Sequence, residues 1–154
     1  MTRLKREAGE VAHIPLLPKG QVSLITRFIG LGKSQVATLF GVSRQTLYGW
    51  LKGKIEPIGE NAQRVALLAR AMAPACRGLR RPLYHDFVTE APTRGEASII
   101  ELLEQENWDE RELAQAFQTA RKLNDERAQQ LGLGGRTVSR AVAENNMLDN
   151  SIAL

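Results

Sequence analysis

Residues 33–54 read KSQVATLFGVSRQTLYGWLKGK, and their spacing predicts two short helices joined by a tight turn. Val36, Ala37 and Phe40 fall at i, i+1 and i+4, which is one apolar stripe on a helix. Gly41 follows, where a helix can end on a left-handed residue at little steric cost. Val42 is expected to fill the inside of the turn, and Ser43 is a good N-cap for the next helix. Leu47, Trp50 and Leu51 then repeat at i, i+3 and i+4. The second helix should therefore bury one face and present the other.

That outward face carries Arg44, Gln45, Tyr48 and Lys52, with Thr46 and Gly49 beside them. Arginine can pair bidentately with guanine, and glutamine with adenine. Lys52 and Lys54 lie near the end of the helix, where they suit phosphates. Gly49 is roughly 1 kcal/mol worse than alanine in a helix, which suggests close approach to DNA or to a neighbouring helix. The small residue at Ala37 lets two helices cross closely, and Gly41-Val42-Ser43 sets their angle. This is the mechanical need of a helix-turn-helix, which pushes its second helix into a DNA major groove. An ordinary helical hairpin in an all-α core is the competing reading.

On Ala37, Gly41-Val42-Ser43, Thr46-Leu47, Trp50, Gly53-Lys54 and Pro57, the stretch resembles the XRE/lambda-repressor-like DNA-binding family. The resemblance covers about residues 22–72, and Val65, Leu67 and Leu68 stand where that family places its closing helices. It implies phosphate contacts at the start of the first helix, where this chain has Lys33, Ser34 and Gln35. The family often has a glutamine at the position of Lys33; here Gln35 comes two residues later.

At 154 residues the chain has room for one domain or two small ones. Aromatics are few, while Ala, Leu, Gln, Glu and Arg favour helices. The expected class is all-α: a helix-turn-helix bundle of four to five helices, then a C-terminal helical region. No run of eighteen apolar residues exists, so no membrane span is expected. The basic opening MTRLKREAGE lacks a following apolar core and does not read as a signal peptide. Cys76 is alone and cannot make an internal disulfide, which fits a reducing cytosol. With DNA as the expected partner, the expected place is the cytoplasm, associated with the nucleoid. Charge is unevenly placed. Up to Gly95 there are fifteen Lys/Arg against six Asp/Glu; from Glu96 onward there are six against eleven. The basic half contains the helix-turn-helix, as phosphate neutralisation requires.

Outward from the central stretch, residues 1–20 read as a basic arm with prolines at 15 and 18. Arg3, Lys5 and Arg6 either touch DNA or belong to a frayed terminus. Residues 21–74 form the DNA-binding domain. In it, 21–30 is a helix with Val22, Ile25, Phe28 and Ile29 inward, and 60–72 is another, stopped by Pro74. Residues 75–95 read as a linker with a short extended piece at 83–88; Arg77, Arg80 and Arg81 there are either solvated or beside the DNA backbone. Residues 96–154 read as an acidic helical domain. It begins with an amphipathic helix at 96–107 and continues with one at 109–123, where Asp109 and Glu112 form a capping-box pattern.

Residues 124–143 repeat the opening logic. Ala128, Gly132, Leu133, Thr137 and Val138 fall 91 positions after Ala37, Gly41, Val42, Thr46 and Leu47. Asn124 or Asp125 would cap the first helix of this second motif, and Arg136, Ser139 and Arg140 would face outward as a second DNA-binding set. A chance likeness among Ala/Leu/Gln-rich helices stands beside that reading, as does a scaffold or dimerisation role.

No catalytic residue, metal site or cofactor is expected. The sequence holds no HExxH, CxxC or GxxxxGK[ST], and His13 and His85 lie far apart. The leading expectation is a sequence-specific, double-stranded DNA-binding regulator, a bacterial or phage repressor acting as a homodimer on half-sites about 34 Å apart. The alternative is an antitoxin whose acidic C-terminal helices mask a toxin protein. A nucleic-acid enzyme fragment is the third reading; it would need a carboxylate cluster or a nucleophile in a pocket.

Overall fold

The computed structural model describes residues 16–132. Helix α1 (Pro18–Phe28) opens on Pro18, whose missing N–H would have had no helical partner in the first turn. The helix thus starts inside the segment expected to be an arm, because a proline that breaks a helix interior is well placed at its beginning. Residues 1–15 of that arm, with Arg3, Lys5, Arg6 and His13, lie outside the described residues. Then follow α2 (Lys33–Leu39), α3 (Arg44–Lys52), α4 (Gly59–Cys76), α5 (His85–Thr89), α6 (Ile99–Leu103) and α7 (Glu110–Gln130). The fold is all-α, with no strand among the described residues. No helix there is long and apolar enough to cross a membrane.

Among the described residues, those up to Ala120 belong to one compact unit and those from Arg121 to another. In the first, α1 packs on α3 and α4, and α2 packs on α3. Val22, Ile25 and Ile29 of the first helical segment meet Val36, Ala37, Phe40, Leu47 and Trp50 in one core with Val65, Leu68 and Met72 of α4. The turn forms for the reasons its residues suggest. Gly41 has φ of 67°, and Val42 N–H reaches back to the Ala37 carbonyl at 3.0 Å, closing α2. Ser43 then caps α3: its Oγ accepts the Thr46 N–H at 3.0 Å.

Pro74 does not stop α4. The helix runs on to Cys76, and burial of Ala75 (1% exposed) and Cys76 (5%) holds the last turn against the cost of the proline. Residues 75–95 are not a solvated linker either. Leu83 and Val88 are fully buried, and the extended piece expected at 83–88 gives way to the one-turn helix α5. Leu83 N–H donates to the Phe28 carbonyl at 3.0 Å, and His85 Nδ1 donates to the Gly30 carbonyl at 3.0 Å. These bonds satisfy carbonyls that the end of α1 leaves unpaired.

The close approach has a steric condition. Gly30 has φ of 80°, and a Cβ there would collide with the Leu83 carbonyl oxygen. Gly30→Ala should therefore destabilise the protein by about 2 kcal/mol, measured as a lower midpoint in urea at unchanged slope. An unchanged midpoint would contradict this packing.

The amphipathic stretch at 96–107 forms only the short helix α6. Ser98 and Glu101 cap it reciprocally: Glu101 N–H to Ser98 Oγ at 3.1 Å, Ser98 N–H to Glu101 Oε1 at 2.8 Å. This satisfies Ser98, which is otherwise buried. Asp109 Oδ1 accepts the Glu112 N–H at 3.0 Å, as the capping-box spacing predicts. Leu113, Phe117 and Ala120 of α7 complete the core of the first unit.

In the second unit, α7 continues without interruption through Asn124 and Asp125, so neither residue caps a new helix. Arg121 Nε bonds both Asp125 oxygens, at 3.0 and 3.1 Å, one turn apart, which favours continuation. The helix gives out at Gly132, with φ of 73°. The remainder of the repeat, including Arg136, Ser139 and Arg140, lies outside the described residues.

Candidate nucleic-acid interface

The inner face of α3 is anchored by aromatic contacts. Phe40, the residue that ends α2, lies edge-on to Trp50 at 5.8 Å and to Trp108 at 5.8 Å between ring centroids. Trp108 is itself held in place: its indole Nε1 donates to the Leu103 carbonyl at 2.9 Å, and the Arg64 guanidinium lies 4.6 Å above its ring. Residues far beyond the two-helix stretch thus brace its turn. Arg64 also donates to the Glu106 carbonyl and pairs with Glu60 at 3.6 Å. The shallow cleft of about 150 Å³ beside it is lined in part by Arg64 and these three partners, Glu60, Glu106 and Trp108.

With Leu47 and Trp50 buried, the other side of α3 is turned outward. Arg44, Gln45 and Lys52 are exposed; Tyr48 and Thr46 are half-buried. Arg44 Nη2 donates to the Tyr48 hydroxyl at 3.3 Å, and its guanidinium lies 5.8 Å from the ring centroid. The hydrogen bond from Arg44 holds the Tyr48 phenol below its ordinary range. Desolvation opposes it, and the charges of Arg44, Lys33 and Lys52 add smaller contributions to the lowering. Lys33, at the start of α2, therefore shares one electropositive field with the outer face of α3.

Three other predicted residues are partly committed to the fold. The Ser43 hydroxyl donates to Thr46 Oγ1 at 3.0 Å while accepting the Thr46 N–H, so both side chains serve the cap. The Gln35 carbonyl oxygen accepts the Gly32 N–H at 3.1 Å, which leaves only its NH₂ group free to donate. Ser34 and Lys33 are exposed beside it.

Gly49 is explained by the protein itself. A Cβ there would come within 2.7 Å of Ile55 Cγ1, and the Gly49 carbonyl receives Lys54 N–H at 2.9 Å. The glycine seats the loop after α3, so the close neighbour is Ile55 rather than another helix. Gly53, left-handed at φ of 75°, ends α3 and leaves Lys52 and Lys54 exposed.

Lys19 belongs with them, although no local pattern marks it. Its Cδ lies 3.2 Å from where a Gly53 Cβ would stand, so α1 adds a cation at the end of α3. The link is tertiary, between segments far apart in sequence.

Among the described residues the ion pairs fall away from this face, although cations elsewhere, such as Arg80 and Arg111, are also without one. Arg64, Arg70 and Arg121 each pair with a carboxylate. Among the described residues, Lys33, Arg44, Lys52 and Lys54 pair with none. No family model matches the chain, and no curated protein or solved structure matches it. Among the described residues no group of His, Cys, Asp and Glu is placed to hold a metal ion. His85 and Asp86, adjacent in sequence, do not act as a pair: His85 clamps Gly30.

Proposed function

We propose that this chain is a sequence-specific, double-stranded DNA-binding transcriptional regulator that lays α3 in the major groove. The observation that carries the reading is the outer face of α3. There Arg44, Gln45, Tyr48 and Lys52 stand on a rod anchored by Leu47 and Trp50, and among the described residues no carboxylate pairs with the cations. The arginine fork and the glutamine amide are the groups that discriminate guanine and adenine edges. Lys33, Lys52, Lys54 and Lys19 flank them, where phosphate contacts fix register.

One short helix reads few base pairs, so the proposal includes pairing of two copies on half-sites about one helical turn apart. Control of transcription then follows from occupancy of such a site, as in a repressor. The test is enrichment of bound duplexes from a randomised pool, followed by affinity measurements across a salt series. Convergence on one sequence with a steep salt slope is expected. Retention of no duplex above background at low salt would defeat the reading.

Lys52→Ala separates positioning from reading. It should weaken enriched and scrambled duplexes alike and reduce the magnitude of the salt slope by about one. A loss confined to the enriched sequence would assign Lys52 to base reading instead.

A further inference from the structure

We propose that Tyr48 is a positioning residue for Arg44, presenting its guanidinium to a guanine in the major groove. The inference rests on the DNA-reading role of α3 and adds how that role is set up before DNA arrives. Residues four apart on a helix stand one above the other. Arg44 and Tyr48 use that relation twice, through the 3.3 Å bond from Nη2 to the phenolic oxygen and through the ring under the guanidinium.

An arginine side chain has large rotamer freedom, and a free one must lose it on binding. Here part of the loss has already occurred. Tyr48 takes one of five N–H donors, and a bidentate guanine contact needs two of the remaining four. Among the described residues no carboxylate pairs with Arg44. Lys33 and Lys52 are close enough to act on the phenol, and as cations they repel Arg44 rather than anchor it. The phenolic oxygen is the fixed acceptor within its reach, and Tyr48→Phe removes that oxygen alone.

The experiment uses the full chain and duplexes enriched from a randomised pool, with Tyr48→Phe, Arg44→Ala and the double variant compared. Tyr48→Phe should lower the ratio of enriched to scrambled binding by about three- to tenfold, the worth of one such bond. The relaxed preference should fall at the same guanine that Arg44→Ala releases. The double variant should lose no more than Arg44→Ala, since the two side chains act as one unit.

If Tyr48→Phe keeps the full guanine preference while Arg44→Ala loses it, the positioning role is overturned and the reading by α3 stands. A double variant worse than Arg44→Ala also overturns it, because Tyr48 would then touch DNA independently. If Arg44→Ala itself changes nothing, the failure is that of the proposed function.

Discussion

Trp50→Ala should lower the unfolding free energy by about 3–5 kcal/mol, the usual cost of deleting a large buried aromatic side chain. Trp50 is 4% exposed and edge-on to Phe40, which in turn meets Trp108. Removing the indole empties the space between α3 and the core and strips Phe40 of one of its two aromatic neighbours. A small domain has only about 5–15 kcal/mol to lose. The thermal melt of the variant should therefore move far down in temperature, with loss of cooperativity in the first unit. A cooperative melt at the parent's temperature would show that α3 is not seated by this ring.

Arg44→Ala and Gln45→Ala should each remove about 1–3 kcal/mol of discrimination between the preferred duplex and a scrambled one. Both side chains are exposed, and Gln45 has no partner among the described residues, so the melting temperature should stay within a degree or two. The two effects should appear at different base positions. Equal binding of variant and parent to both duplexes would remove these residues from the reading role. The pair of outcomes is informative because Trp50 and Arg44 share one short helix. One substitution should cost fold, the other recognition.

Most of α2, the turn and α3 can be read directly from residues 33–54, because the forces that shape them are local. Gly41 meets the demand for positive φ, Ser43 lies three residues from the amide it caps, and the apolar stripe repeats within two turns. The outward residues follow from the same period. Residues 75–95 could not be read this way. Their structure comes from partners such as Phe28 and Gly30, more than fifty residues earlier, and no local pattern reports them. Pro18 and Pro74 fail as stop signals for a related reason: one begins a helix, and burial carries the chain past the other.

At the candidate site, side-chain commitments were hidden rather than positions. That Ser43 and Thr46 bond each other, that Gln35 turns back to Gly32, and that Gly49 makes room for Ile55 are facts of packing. Lys19 was hidden too, since it reaches the site only because α1 crosses α3.

The most direct measurement is a backbone and side-chain NMR titration of the full chain with a duplex enriched from the randomised pool. The largest shifts should fall on Arg44, Gln45, Tyr48 and Lys52, with Lys33 and Lys54 next and the buried Leu47 and Trp50 side chains little moved. Shifts that bypass the outer face of α3 and gather elsewhere on the protein would contradict the account.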